Sequence, residues 1–355
     1  MTSRDDPLIL DAARAVDGVG SVVGLEDRVK ALSGAGLRVH GLEIDSLGSP
    51  WRGRPDRRGP GFQSGCGPIL ALARARDLLA EGVVDAVVIR GDEPLRTGYE
   101  REERRRLMRI YGDTSIPEAY TSLARLQMAR LGLTEPGYRH LADKLLESYA
   151  RTAGRLGRPI RSAHGDRAAT SLFRFADCAD PNVDFRGAVL LGSARAAEVL
   201  DRPADAIPRL FAVAVELQDD GLEHLEDIVG YAHLGRAYGR ACDLAGLDIA
   251  ARFLAGEALL EAYTCFPPVP LGLLLAVGLA TDAASLTRVL ADHEITVTGG
   301  MNLAGAPWNN PALHGLIALV EQLETSEAHL GLVHGNGGLG GYQGVAIVGV
   351  PRPGA

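Results

Sequence analysis

The chain has 355 residues, of which 46% are hydrophobic and 44 are glycine, and a formal net charge of −8. That length and apolar content suit one large domain, or two sharing a core. The acidic balance offers nucleic acid no general attraction, and the one basic cluster, "WRGRPDRRGP", is local. Cys66, Cys178, Cys242 and Cys265 are far apart and form no C-x-x-C, which argues against a disulfide framework or a zinc site.

In chain order, "MTSRDDPLIL" has no basic segment leading into an apolar core. No apolar run approaches the ~20 residues that span a bilayer, so the expectation is a soluble, cytoplasmic protein. "PLIL", "LRVHGLEI", "VVDAVVIRG", "GAVLLG", "RLFAVAVEL", "ITVTGG", "LGLVHGNG" and "GVAIVGV" are short runs rich in Val, Ile and Leu, and are predicted as buried strands. "PILALARARDLLAEG" places Ile69, Leu72, Ala73, Leu79 and Ala80 on one helical stripe and Arg74, Arg76, Asp77 and Glu81 opposite it, with Gly82 as its C-terminal stop. "LGLLLAVGLA" and "PALHGLIALVEQLE" are two further, strongly apolar helices. The alternation defines an α/β class. It breaks over residues 93–180, where charged segments with helical spacing predict an insertion, either a surface excursion or a cover for a site. Two α/β halves, 1–200 and 201–355, suggest a duplication.

The stretch "GFQSGCGPILALARARDLLAEG" sets Cys66 between two glycines at the mouth of a helix. Unsatisfied N–H groups and the positive end of the helix dipole favour thiolate there, and Gly65 and Gly67 leave room for a carbonyl to approach. The alternative is a small residue buried in a crowded turn. "GFQSG" is not the G-x-S-x-G elbow of serine hydrolases, because its serine comes one place late. "GNGGLGG" precedes a strand rather than a helix, so it reads as a tight loop between antiparallel strands and not as a phosphate cradle.

Four blocks, "FRFADCADPNVDFRGAVLLGSARAAEVL", "LLEAYTCFPPVPLGLLLAVGLA", "ITVTGGMNLAGAPWNNPALHGLIALVEQLE" and "LVHGNGGLGGYQGVAIV", occur in the order and rough spacing of the C-terminal half of thiolases. Over roughly residues 60–350 the chain resembles the sterol-carrier-type and bacterial acetyl-CoA-acetyltransferase-like branch of that superfamily. The resemblance implies a five-layer α-β-α-β-α fold of two pseudo-symmetric halves, assembled as a homodimer or with a related subunit. It also implies an acyl-accepting cysteine at the place of Cys66, and a coenzyme A or carrier-protein thioester as substrate, with no permanently bound cofactor and no metal.

The resemblance is incomplete at the remaining catalytic positions. The branch's His-Asp-Cys-Phe reads Tyr263, Thr264, Cys265 and Phe266 here, which keeps the acid/base cysteine and replaces the histidine with a phenol that donates one hydrogen bond. Gly-His-Pro reads Gly305, Ala306 and Pro307, and alanine transfers no proton. Substitutes for that histidine are Asn309 and Asn310 as oxyanion donors, His314 one turn on, and His334 with Asn336 and Gly337 in the glycine-rich loop. Arg52, Arg54, Arg57 and Arg58 are candidates for the phosphates of coenzyme A or for an acidic carrier. Two functions follow: an acyltransferase working through an acyl-Cys66 intermediate, or a degenerate acyl-CoA-binding or scaffold subunit.

Overall fold

The computed structural model describes residues 6–51, 61–158, 165–204 and 206–350. Strand β1 (Leu8–Val16) opens the chain, followed by β2 (Val19–Gly20), α1 (Val23–Gly34), β3 (Val39–Ile44), β4 (Gly61–Phe62), α2 (Gly67–Ala80) and β5 (Ala86–Pro94). Three helices come next, α3 (Arg101–Leu107), α4 (Ile116–Leu131) and α5 (Glu135–Arg155), before β6 (Asp184–Gly192) and α6 (Ala194–Val199). The remainder comprises β7 (Arg209–Leu217), α7 (Leu225–Ile228), α8 (Ala232–Ala245), α9 (Ile249–Leu254), β8 (Ala258–Glu261), α10 (Pro268–Ala276), α11 (Ala283–Asp292), α12 (Pro311–Leu323), β9 (Leu330–Gly337) and β10 (Tyr342–Gly349).

The strands run in the order β4-β3-β5-β6-β1-β7-β10-β9-β8. Between β1 and β7 the pairing narrows to Leu8 opposite Arg209, so the path behaves as two half-sheets joined at one corner. Helix α2 packs on β3 and β5 of the first half-sheet and on β7, β9 and β10 of the second, and α12 packs on β1 and β6 and on β8 and β9. These two helices therefore form the middle layer. The first half of α2 and most of α12 are apolar for this reason: Ile69, Leu70, Leu72, Leu316, Ile317 and Leu319 share one buried cluster with Val189 and Val333. Outside the first half-sheet, α1 and α6 cover Leu10 and Val88 with Leu25, Leu32 and Ala196. Outside the second, α8 covers β7 and β10. The result is the five-layer α-β-α-β-α arrangement that the resemblance implies.

The antiparallel β9–β10 hairpin closes through Gly338–Gly341, as the spacing of "GNGGLGG" predicts. "ITVTGG" is not a strand. Its backbone is held instead largely by side chains: Glu261 accepts hydrogen bonds from the Val297 N–H (2.6 Å), the Thr298 N–H (3.0 Å) and the Thr298 hydroxyl (2.6 Å), while Gln322 and Arg158 donate to the Val297 and Thr298 carbonyls. Those contacts take the place of a ladder partner. Strand β8, which the sequence reading missed, carries that glutamate.

The 93–180 insertion is a cover rather than an excursion. Helix α4 starts on a capping box, in which Ser115 accepts from the Glu118 N–H and Glu118 accepts in return, and it stops at Gly132 with φ 63°. Its inner face leaves the first half and packs on the second. Tyr120 stacks on Phe266 at 4.2 Å, and Gln127 donates to the Pro268 carbonyl while accepting from the Tyr138 hydroxyl. Among the described residues no helix is long and apolar enough to cross a membrane.

Glu261→Ala leaves three buried donors unmatched, and the expected loss in urea unfolding is about 3 kcal/mol. Glu261→Gln should recover most of it, because an amide oxygen still accepts from both N–H groups.

Candidate active site

Four turns at strand ends converge on a cavity of about 580 Å³ roofed by the insertion. The β4–α2 turn contributes Ser64 and Gly65, the β8–α10 turn Tyr263, Cys265 and Phe266, the β9–β10 hairpin Asn336 to Gly338, and the segment before α12 Pro307, Trp308 and Asn309. From the insertion come Ile110, Tyr111, Ile116 and Tyr120. The lining is mostly aromatic and aliphatic, with a few polar groups at the floor and Arg105, Arg109 and Asp113 from the insertion.

Cys66 is not part of that lining. It is the N-cap residue of α2 at 0% exposure, and its sulfur faces Gly344 of β10, where a Cβ would lie 3.1 Å away. The residue on the cavity side of this turn is Ser64. Ser64 holds φ 70°, a left-handed conformation that a serine adopts only under constraint, and its placement between β4 and α2 makes a strand-to-helix elbow. Its N–H donates to Asn309 Oδ1 at 3.0 Å, and its Oγ accepts the Cys66 N–H at 3.4 Å. Sequence reasoning set Ser64 aside because its spacing matched no hydrolase motif. The left-handed φ, which no spacing rule reveals, is what marks it.

Asn309 and Asn310 act inside the wall. The Asn309 amide donates to the Asp45 carbonyl at 2.8 Å, and its backbone N–H donates to both oxygens of Glu93 at 2.9 Å. Asn309 thus borders the cavity with its backbone N–H and one amide N–H engaged in the wall. Asn310 is fully buried as the N-cap residue of α12 and packs against Gly91 and Glu93, away from the cavity. Glu93 itself was missed by the sequence reading. Burial pushes its carboxyl up to about 7 against the hydrogen bond it accepts from the Asn309 N–H. Its signal was a carboxylate at the end of an otherwise apolar strand.

Neither histidine reaches the cavity. His314 lies in α12 with its ring edge-on to Phe185 at 5.6 Å, and burial drives its pKa well below the usual imidazole range. His334 is held at both nitrogens: Nδ1 accepts from the Tyr263 N–H at 3.4 Å, so Nε2 donates to Gln343 Oε1 at 2.6 Å. Burial lowers its pKa to about 4, and the ring is neutral at pH 7.

That tautomer fixes the floor of the site. Gln343 turns its amide N–H groups to Asn336 Oδ1 (2.5 Å) and the Gly340 carbonyl (2.9 Å). Asn336 then points its own amide N–H groups at the Tyr120 oxygen (3.2 Å) and toward Cys265. The Tyr120 hydroxyl donates to the Gly338 carbonyl at 2.8 Å. Cys265 sits 3.6 Å from that oxygen, and burial pushes its thiol up to about 12. The hydroxyl end of Tyr263 packs against Gly65, where any Cβ would collide with it and with the Asn336 carbonyl. Its phenol is raised well above 10 by burial, and among the described residues its hydroxyl has no hydrogen-bond partner. At pH 7 the floor therefore presents a thiol, phenols, an amide and a hydroxyl, all neutral. Arg52, Arg54, Arg57 and Arg58 lie outside the described residues. No cluster of His, Cys, Asp and Glu that could hold a metal occurs among the described residues.

An α/β protein with two sheets around a helical centre and this strand-end cavity has a thiolase-like fold. The comparison with solved structures agrees: a monomeric SCP2-thiolase-like protein type 1 from Mycobacterium smegmatis superposes with a TM-score of 0.71 at 20% identity, covering 99% of this chain and 79% of that one. The Ltp2–ChsH2(DUF35) aldolase superposes at 0.65 with 16% identity, covering 99% of each chain. No protein-family model matches the chain, and neither does any curated protein. The first neighbour is monomeric, so the dimer that the resemblance implies is not a property of this fold alone.

Two outcomes follow from the geometry. In the native protein, iodoacetamide should modify the half-buried Cys242 well before the sealed Cys66, as read by peptide mass mapping. Folded Glu93 holds its proton to about pH 7, whereas an unfolded glutamate releases it near 4.5, so the folded state binds more protons between those values. Stability should fall as pH rises through that window, by up to ~3 kcal/mol, and Glu93→Gln should flatten that part of a Tm-against-pH curve.

Proposed function

We propose that this chain is a thiolase-fold enzyme that makes or breaks a carbon–carbon bond next to the carbonyl of an acyl thioester, on coenzyme A or a carrier protein, without forming an acyl-cysteine. The observation that carries this reading is the β4–α2 elbow, where a serine faces the cavity and the thiol is sealed behind it. Acyl-cysteine formation needs a thiolate within reach of the carbonyl, and the cavity's own Cys265 is held as a thiol by burial.

Bond breaking beside a carbonyl has a different need, namely donors that stabilise charge as it develops on the thioester oxygen. Ser64 and Tyr263 supply hydroxyls at the floor, and Asn336 supplies an amide oriented by Gln343 and His334. Neutral donors in a largely apolar cavity hold little solvent to reorganise as that charge appears. The description of one structural neighbour as an aldolase, and as a complex with a DUF35 component, supports the reaction type and makes a partner subunit plausible on the same fold.

The test combines turnover with intact mass. Incubation with a panel of 3-hydroxyacyl-CoA thioesters should release a carbonyl compound and a shortened acyl-CoA while the protein mass stays unchanged. Tyr263→Phe should lower kcat about 100-fold. An acyl mass retained on the Cys66 peptide would instead establish the acyl-cysteine route. Tight binding with no turnover across the panel would establish the scaffold role.

A further inference from the structure

The base for this reaction is absent from the floor just described, yet a half-buried carboxylate stands directly behind the cavity wall. Asp220 follows β7 and reaches under the β9–β10 hairpin, where Oδ1 accepts the N–H groups of Leu339 (2.8 Å) and Gly341 (2.9 Å). Its Oδ2 accepts from the hydroxyl of Tyr111 at 3.4 Å, and Tyr111 lines the cavity. The glycines of "GNGGLGG" make room for this side chain. A Cβ on Gly338 would overlap the Asp220 carboxylate, and one on Gly341 would lie 2.7 Å from its Cβ. Among the described residues Asp220 has no ion-pair partner, although the structure holds many Arg–carboxylate pairs. A carboxylate enclosed by a glycine loop, without a cation and with one phenol between it and the cavity, has the layout of a proton relay rather than of a structural salt bridge.

Resting on the proposed carbon–carbon lyase reading, we infer that Tyr111 and Asp220 form its acid–base pair, with Tyr111 the residue that touches substrate and Asp220 the group that takes up the proton behind it. In the cleavage direction, the 3-hydroxyl of the substrate gives its proton to Tyr111 Oη as the phenolic proton passes to Asp220 Oδ2. The C2–C3 pair then moves into the thioester as an enolate, and the departing fragment leaves as a carbonyl compound. Return of the proton through the same two oxygens to C2 of the enolate restores both residues, so no external acid, base or oxidant enters. A phenol is suited to this relay because it exchanges one proton for another and never needs to exist as free phenolate. That matters here, because burial and the neighbouring Asp220 and Tyr342 push its own ionisation far up. Burial also raises Asp220, to about 6, against the hydrogen bonds from Gly341, Leu339 and Tyr111, with the half-exposed His224 nearby.

The charged and titratable groups that bear on this pair are His224 beyond Asp220, Tyr342 and Tyr231 beneath it, and Cys265 and Tyr120 across the cavity. Of these, Asp220 is the group raised into the working range, to about 6. The base form of Asp220 is required, so kcat for cleavage should fall as pH drops through about 6. Asp220→Asn keeps the acceptor for Leu339 and Gly341 and the shape of the loop, while Tyr111→Phe keeps the ring. Each should lower kcat by 100-fold or more with little change in binding of the thioester, and Asp220→Asn should also abolish the acid limb of the pH profile. His224→Gln should leave that limb in place.

Two failures are distinguishable. A wild-type protein inactive on every 3-hydroxyacyl thioester overturns the lyase reading and this relay together. An active wild type whose Asp220→Asn variant retains kcat and the acid limb overturns the relay alone, as does an acid limb that disappears in His224→Gln.

Discussion

The site depends on the Glu93 carboxyl group near the end of β5. It clamps the backbone N–H of Asn309 and so fixes the segment that leads into α12. Asn309 in turn accepts the N–H of Ser64 and donates to the Asp45 carbonyl, which holds the β4–α2 elbow in its left-handed conformation. A residue that would relax to negative φ on its own is kept at φ 70° by the buried Asn309 and, behind it, Glu93. If that stitch is lost, Ser64 turns away, Gly65 no longer supports Tyr263, and the two halves of the cavity floor separate.

A second polar chain runs through the other half. His334, Gln343, Asn336 and Tyr120 form one directed series in which each donor finds an acceptor, and the direction is set by the Tyr263 N–H donating to His334 Nδ1. Buried polar networks of this kind cost little when every member is paired, and they fix a single arrangement of the groups at their ends. Here the end group is the Asn336 amide, which faces the cavity. The histidine that looked like a base in the sequence therefore works as an orienting group, and its neutral tautomer is the form the series needs.

The insertion gives the cavity its size and its apolar character. Because α4 stacks Tyr120 on Phe266, a helix from the first half is fixed to the start of α10 in the second, and the α3–α4 connection with Ile110 and Tyr111 lies over the opening. The same segment places Tyr111 within reach of Asp220, which arrives from β7 on the far side of the hairpin. Cover and relay come from one packing arrangement.

Sequence by itself determined the alternation of strands and helices, the helix that follows residue 66, the strongly apolar helix α12, the hairpin around "GNGGLGG", and the stretch around residues 61–67 as a candidate site. Those features are written in local periodicity and in turn chemistry, which act over a few residues. The side of a turn that faces the cavity is not. Ser64 and Cys66 are two residues apart, and only the packing of α2 beneath Gly335 and Gly344 buries the sulfur and leaves the hydroxyl outside. The same holds for "ITVTGG", which has the composition of a strand but is held by Glu261 in place of a ladder, and for His314 and His334, whose roles follow from Phe185 and Gln343. Each of these outcomes was decided by contacts between residues far apart in the chain, because burial, register and hydrogen-bond partners belong to the assembled layers and not to any one segment.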